Sequence, residues 1–144
     1  MKSFLSILLF LLFFGLSLIH FYWASGGLLG FTMALPANEQ GIPVLSPTTF
    51  DSIFMGIILL WFGLFYLFLL KSVVHKTLIL IRTIGLWLIP IIFFLRAVGD
   101  FNYVGFFKEI KSTEFAYLDT AFYSPLCLAI SLIGFTLIRL KKLR

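Results

Sequence analysis

The stretch that decides the fold is residues 4–24, which read FLSILLFLLFFGLSLIHFYWA. It contains no Asp, Glu, Lys or Arg. As a helix rising about 1.5 Å per residue, it would span roughly 31 Å, close to the roughly 30 Å of a bilayer core. Ala24-Ser25-Gly26 is also a passable cleavage context for a signal peptide, but an apolar run of this length favours a retained transmembrane helix.

Three further apolar runs follow, at about 50–70, 77–98 and 119–138. The chain of 144 residues is 61% hydrophobic and 12% charged, whereas a soluble domain is roughly half apolar and a quarter charged. Its mean hydropathy is +1.10. We therefore predict an all-α fold in one domain, residues 1–144. It is an integral membrane bundle of four transmembrane helices at about 4–24, 50–70, 77–98 and 119–138.

Two prolines lie in the last two runs. Pro90 falls inside the third run and Pro125 inside the fourth, and each removes a backbone donor, which predicts a kink. Ser124-Pro125 has an alternative interpretation, in which Ser124 caps a shorter fourth helix and Pro125 is its first residue. The sequence leaves both interpretations open.

The basic residues predict the orientation, because cytoplasmic segments are enriched in Lys and Arg. With both termini inside, the cytoplasmic set is larger than the outer set of Arg96, Lys108 and Lys111. The same orientation, N-in and C-in, places every acidic residue on or near the outer face, together with two longer loops, Ser25–Thr49 and Gly99–Leu118. The cytoplasmic residues would be Lys2, Lys71, Lys76, Arg82, Arg139, Lys141, Lys142 and Arg144.

Several function classes lack their residues. The net charge of +5 would suggest nucleic acid in a soluble protein, but the cations flank apolar runs, so we expect contacts with lipid headgroups and no nucleic-acid partner. The single cysteine, Cys127, cannot form a disulfide within the chain or a Cys-based metal site. His20 and His75 lie at opposite ends of spans, which argues against a shared haem. We expect no cofactor and no metal.

Polar residues near the outer ends of the helices are the candidate site residues. His20 and Trp23 share one helix face, and an ionisable side chain at this depth usually faces a partner or a cavity. The alternatives are a structural histidine and an interfacial tryptophan of the aromatic belt.

Arg96 and Asp100 are four residues apart, so they form either an ion pair or an anion site in which Asp100 orients Arg96. Asp119 and Tyr123 also share a face, although an Asp at a helix start is most simply a cap. Asp51, after Pro47-Thr48-Thr49, has the same capping interpretation.

Five segments of the chain form a distinctive set: HFYWASGG (20–27), ALP (34–36), FLRAVGDFNYVGFFK (94–108), FAYLDT (115–120) and YSPLC (123–127). They resemble those of a bacterial membrane protein family, domain of unknown function 3995, and the resemblance extends over nearly the whole chain. It implies a small bacterial protein with four spans and no assigned biochemical activity. It also implies a multi-pass location in the cell (cytoplasmic) membrane.

We predict that these outer-face residues converge on one pocket that binds a lipid or small amphiphile, or docks a protein partner or a second copy of the chain. The rival hypothesis is a membrane enzyme for a lipid or isoprenoid-like substrate, with His20 or Asp119 as proton-transfer group. A transporter would need a polar path past Trp61 and Trp87, and the apolar middle of the runs argues against it. The predicted pocket residues are His20, Trp23, Arg96, Asp100, Tyr103, Asp119 and Tyr123.

Overall fold

Residues 1–142 are described in this computed structural model of the protein, and side chains are described through residue 140. The described part has four helical segments long and apolar enough to cross a membrane. The predicted all-α, four-span fold is therefore confirmed. The elements are α1 (Lys2–Ala24), a 3₁₀ turn (Thr32–Ala34), α2 (Thr49–Phe68), α3 (Lys76–Val98), α4 (Glu114–Leu118), a π-helical turn (Asp119–Tyr123) and α5 (Ser124–Lys142).

The start of α2 is fixed by a capping box. The Thr48 hydroxyl accepts a hydrogen bond from the Asp51 N–H at 3.3 Å, and the Asp51 carboxylate accepts one from the Thr48 N–H at 2.7 Å. Two donors that the helix cannot satisfy internally are thus paired with side-chain oxygens. Asp51 is a cap, as its position after the Pro-Thr-Thr segment suggested.

The helices pack as two pairs, α1 on α2 and α3 on α5. Small residues let the first pair approach closely, since the Ser17 hydroxyl donates to the Gly56 carbonyl at 2.7 Å. In the second pair, Gly134 lies under the ring of Pro90, so close that an added Cβ would sit 2.4 Å from its Cγ. The core that joins the pairs consists of Leu9, Phe13, Leu59, Tyr66, Leu86, Ile89, Ile130 and Leu137.

The fourth span differs from the sequence prediction. It begins at Glu114 rather than at about residue 119, and Thr113 caps it by accepting a hydrogen bond from the Ala116 N–H at 3.1 Å. The interpretation of Asp119 as a helix cap is therefore wrong, because Asp119 lies one turn inside the helix.

Pro125 neither starts this helix nor interrupts a regular one. It follows the π-helical turn, in which the Ser124 N–H donates to the Asp119 carbonyl five residues back. A proline ring crowds the carbonyl four residues before it, and the wider π turn gives that ring room. The alternative with Ser124 as N-cap is wrong.

The bundle has two chemically different ends. We call the end with the long connections 25–48 and 99–113 the loop end, and the end with the short connection 69–75 the turn end. Every acidic residue of the chain lies at the loop end. Lys2 at the start of α1 and Leu137 near the end of α5 line one cavity at the turn end, together with Leu70. The start of α1 and the end of α5 therefore lie on the same side of the bundle.

Candidate functional site

Asp119 is the centre of the polar structure at the loop end. Its side chain is 0% exposed, yet each of its oxygens accepts strong hydrogen bonds. Oδ1 is 2.9 Å from Arg96 Nη2, while Oδ2 is 3.0 Å from Lys108 Nζ and 2.7 Å from the Gly105 N–H. A buried carboxylate is stable only with such partners. We call Asp119, Arg96 and Lys108 the Asp119 cluster.

Lys108 is the site residue that sequence reasoning missed. Its residue exposure is 2%, and its ammonium donates to Asp119, to the Gly105 carbonyl at 2.9 Å and to the Thr120 hydroxyl at 2.7 Å. All three donors of the ammonium are used. Because its side-chain partners Asp119 and Thr120 lie in another segment of the chain, no local pattern singles out Lys108 from the other outer cations.

The loop after α3 places Lys108 in the cluster. Gly99 ends α3 with φ of 98°, a left-handed conformation that glycine adopts without steric cost. The Asp100 carboxylate then accepts hydrogen bonds from the N–H groups of Asn102, Tyr103 and Val104 at 2.8–2.9 Å. Burial opposes ionisation of Asp100, but these donors outweigh it and hold the pKa of Asp100 below its ordinary value.

The alternative in which Arg96 and Asp100 form an ion pair is therefore wrong, and Asp100 does not orient Arg96 in an anion site either. The guanidinium binds Asp119, and the Asp100 carboxylate organises the loop backbone. The chain turns away at Gly99, so the four-residue spacing of a continuous helix does not apply. A second glycine, Gly105 with φ of 92°, packs directly on Gly99.

Arg96 is only partly used by the cluster. Its side chain is 32% exposed, and while Nη2 binds Asp119, Nη1 is buried with no hydrogen-bond partner among the described residues. A buried guanidinium donor without an acceptor is unusual, because an unpaired buried N–H group lowers the stability of the folded protein.

Two adjoining cavities open in front of Arg96. The loop cavity, of about 480 Å³, lies under the connection 25–48, and the helix cavity, of about 370 Å³, lies between the two helix pairs. Arg96, His20 and Trp23 line both. The deeper walls of the helix cavity are mostly apolar side chains from all four spans, among them Leu16, Leu59, Phe93, Leu126 and Ile130.

His20 and Trp23 form the wall opposite Arg96. Their rings meet edge to face with centroids 5.0 Å apart. Trp23 is held in place because its indole N–H donates to the Leu29 carbonyl at 2.9 Å and its ring contacts Phe31. His20 has no hydrogen-bond partner among the described residues, so its imidazole is available to a molecule in either cavity.

The structure brings four of the predicted pocket residues together. His20, Trp23, Arg96 and Tyr123 line the helix cavity, and the Tyr123 hydroxyl donates to the Met33 carbonyl at 3.4 Å. Asp119 lies behind Arg96 rather than in the cavity wall. The remaining two predicted residues, Asp100 and Tyr103, lie in the folded loop and line neither cavity.

The donor chemistry of this site suits an anion. The exposed face offers a guanidinium, an imidazole and apolar surface, and among residues 1–142 no cluster of three metal-ligating side chains occurs. Cys127 also lines the helix cavity, as a single thiol without a second cysteine.

Comparison with known proteins identifies a family for the chain. We find no match to the chain among curated proteins or solved structures. The family described as "Protein of unknown function (DUF3995)" matches residues 13–134. This range contains the Asp119 cluster, the folded loop after α3 and the residues His20, Trp23 and Arg96 that line both cavities. The resemblance seen in the sequence is confirmed, and the chain belongs to this DUF3995 family.

Proposed function

We propose that the protein binds an acidic amphiphile at the loop end, with the acid group on Arg96 and the hydrocarbon chain in the helix cavity. The observation that carries this proposal is the free Nη1 of Arg96, a buried donor beside a cavity with mostly apolar walls. A guanidinium N–H gains most from a charged oxygen acceptor such as a carboxylate or phosphate.

The charge balance of the site also supports an anionic ligand. Asp119 carries one negative charge, whereas Arg96 and Lys108 carry one positive charge each, so the Asp119 cluster has a surplus positive charge. Asp51 also carries a negative charge, but it lines the loop cavity only and is absent from the walls of the helix cavity. A bound anion would neutralise the surplus in a region of low dielectric constant.

We further propose that the loop end faces outward from the cytoplasmic membrane of a bacterium, with N- and C-termini inside. The concentration of basic residues at the turn end supports this orientation, since positive residues accumulate on the cytoplasmic side. The ligand would then come from the outer leaflet or the external medium.

The two rival functions fit the geometry less well. As a proton-transfer group, Asp119 would need a free oxygen facing substrate, but it is fully buried and both oxygens are occupied. His20 lines both cavities, but among the described residues it has no hydrogen-bond partner with which to exchange a proton. A transport path would need polar residues past Trp61 and Trp87, yet these side chains are 69% and 50% exposed on the outside of the bundle. Binding is therefore the function that the site supports best.

A quenching assay tests the proposal. In a Trp61→Phe/Trp87→Phe background, Trp23 is the remaining tryptophan and lies in the site. We expect dibromostearate in neutral detergent to quench Trp23, and the matching brominated alcohol, which lacks the charge, to bind at least about tenfold more weakly, as expected for loss of a charge-assisted hydrogen bond.

Variants of the guanidinium provide the controls. Arg96→Lys keeps a cation for Asp119 but has a compact ammonium in place of the planar fork, so dibromostearate should bind roughly tenfold more weakly. Lys111→Gln removes an exposed cation from the same loop and should leave binding unchanged. Equal binding of acid and alcohol, or unchanged binding by Arg96→Lys, would show that Arg96 does not hold the acid group.

A further inference from the structure

A separate cavity lies at the turn end, far from the Asp119 cluster. Its volume is about 170 Å³, and it forms where the ends of all four spans meet. Lys2 and Ser6 of α1 and Arg82 of α3 supply its polar wall. The remaining wall is leucine side chains from α3, α5 and the segment after α2.

Arg82 lines this cavity and has one donor without a partner. One terminal nitrogen, Nη2, donates to the Leu69 carbonyl at the end of α2, and the guanidinium lies 5.4 Å from the centre of the Phe68 ring. These contacts hold the side chain against the bundle. They leave Nε buried with no hydrogen-bond partner among the described residues.

No acidic side chain of the described residues lies near Arg82. Every Asp and Glu lies at the loop end, whereas Lys2, Lys71, Lys76, Arg82 and Arg139 lie at the turn end. The helix dipoles largely cancel here, because the N-termini of α1 and α3 and the C-termini of α2 and α5 all lie at this end. The basic side chains therefore leave an excess of positive charge at this end, which an anion from outside the bundle can neutralise.

We infer that this cavity binds the phosphate of an anionic phospholipid, with the phosphate oxygens accepting from the Arg82 guanidinium and the Lys2 ammonium as second cation. The volume suits a phosphate group rather than a whole lipid. A lipid is the favoured source because the cavity lies at the ends of membrane-crossing helices, where headgroup phosphates are concentrated, and its leucine walls can contact the first carbons of the chains.

This site is independent of the proposed function at the loop end. It uses other residues, lies at the opposite end of every span and binds a structural membrane lipid instead of a dissolved or outer-leaflet amphiphile. Arg96 variants should therefore leave it unchanged, and Arg82 variants should leave dibromostearate binding unchanged.

Native mass spectrometry of the whole protein, released from mixed phosphatidylglycerol and phosphatidylcholine micelles, tests the inference. We expect the wild type to retain phosphatidylglycerol preferentially, because Lys2 and Arg82 repel the choline ammonium that phosphatidylcholine carries beside its phosphate. Arg82→Gln should reduce that preference by roughly tenfold, the size expected for the loss of one charged interaction. Lys71→Gln removes the same charge from the same end but lines no described cavity, so it should retain the preference.

A second variant covers the case in which Arg82→Gln fails to fold because α2 loses its C-terminal contact. Lys2→Gln leaves that contact intact and should still weaken retention of phosphatidylglycerol several-fold. The inference is overturned if Lys71→Gln lowers retention as much as Arg82→Gln or Lys2→Gln does. It is also overturned if inorganic phosphate at millimolar concentration displaces the lipid completely, which would indicate a site for free phosphate.

Discussion

At Asp119, a carboxylate is held inside the protein between two cations. Neither cation is its neighbour in sequence, since Arg96 comes from the end of α3 and Lys108 from the loop. The cluster therefore ties three segments of the chain together at a single side chain. Removing one member of the cluster should lower the free energy of unfolding strongly, because the remaining members stay buried with an unbalanced charge.

Replacement of Asp119 by Asn should destabilise the protein strongly. The amide would leave both cations without a counter-charge, and breaking a buried pair in this way costs about 3–5 kcal/mol. Thermal unfolding in detergent measures the loss. Glu109→Gln, an exposed acid of the same loop, should melt with the wild type.

The double variant Asp119→Asn/Lys108→Met sharpens this test. Methionine has a side chain of similar length to lysine but no charge, so it removes the unpaired buried ammonium of Lys108. The double variant should therefore be more stable than Asp119→Asn alone. If Asp119→Asn melts with the wild type, the carboxylate does not carry the charge we assign to it.

The residue scale is also where sequence prediction had least success. His20, Trp23, Arg96 and Tyr123 were placed near one another because helix periodicity and helix ends are local properties. Both interpretations of Arg96 put Asp100 rather than Asp119 beside it, because the actual partner depends on the turn at Gly99 and on a loop that folds back. Lys108 was missed for the same reason.

Among the elements, the π-helical turn determines which side of the fourth span Asp119 projects from. A π turn holds one more residue than a regular α-helical turn, so it rotates the part of the fourth span before it relative to α5. The rotation lets Asp119 face Arg96 while the residues after Pro125 still pack on α3.

Deletion of Ala121, an exposed residue in the π turn, should therefore mimic loss of the carboxylate. A regular helix advances about 100° per residue, so the deletion turns Asp119 away from Arg96 and should destabilise about as much as Asp119→Asn. Thermal unfolding of both variants gives the comparison.

Combining the two changes provides the control for this prediction. Because both remove the same contact, the combined variant should be little less stable than either alone. Additive losses would mean that the π turn stabilises the protein by a route other than the Asp119 cluster.

Hydropathy alone predicts the bounds of a span where the whole helix is apolar. The first and third spans were predicted at 4–24 and 77–98 and are observed at Lys2–Ala24 and Lys76–Val98. The fourth was predicted to start five residues late. Its first turn contains Glu114 and Tyr117, so its local composition is that of a loop, and the capping by Thr113 was not identified.

For the whole molecule, the separation of charge predicts how the bundle sits in the membrane. The turn end carries basic residues and no acid, and the loop end carries every acid. Positive residues near span ends resist translocation. The turn end should therefore face the cytoplasm.

Cysteine labelling measures this orientation. In a Cys127→Ala background, Gln40→Cys lies in the connection 25–48 and Ser72→Cys in the turn 69–75, and both positions are exposed. In intact bacterial cells, a membrane-impermeant maleimide should label position 40 and not position 72. Permeabilised cells should show labelling at both, and the reverse pattern in intact cells would place the loop end inside.

The pairing of α1 with α2 and of α3 with α5 also bears on how the chain is made. A ribosome completes α1 and α2 first, so this hairpin can assemble as soon as it is inserted. Helix α3 has to wait for α5, and at about 5–20 residues per second the intervening stretch takes a few seconds to synthesise. Until α5 is made, Pro90 lacks its partner Gly134 and Arg96 lacks Asp119. We therefore expect the two helix pairs to form one after the other, the α1–α2 hairpin first and the α3–α5 pair when the chain is nearly finished.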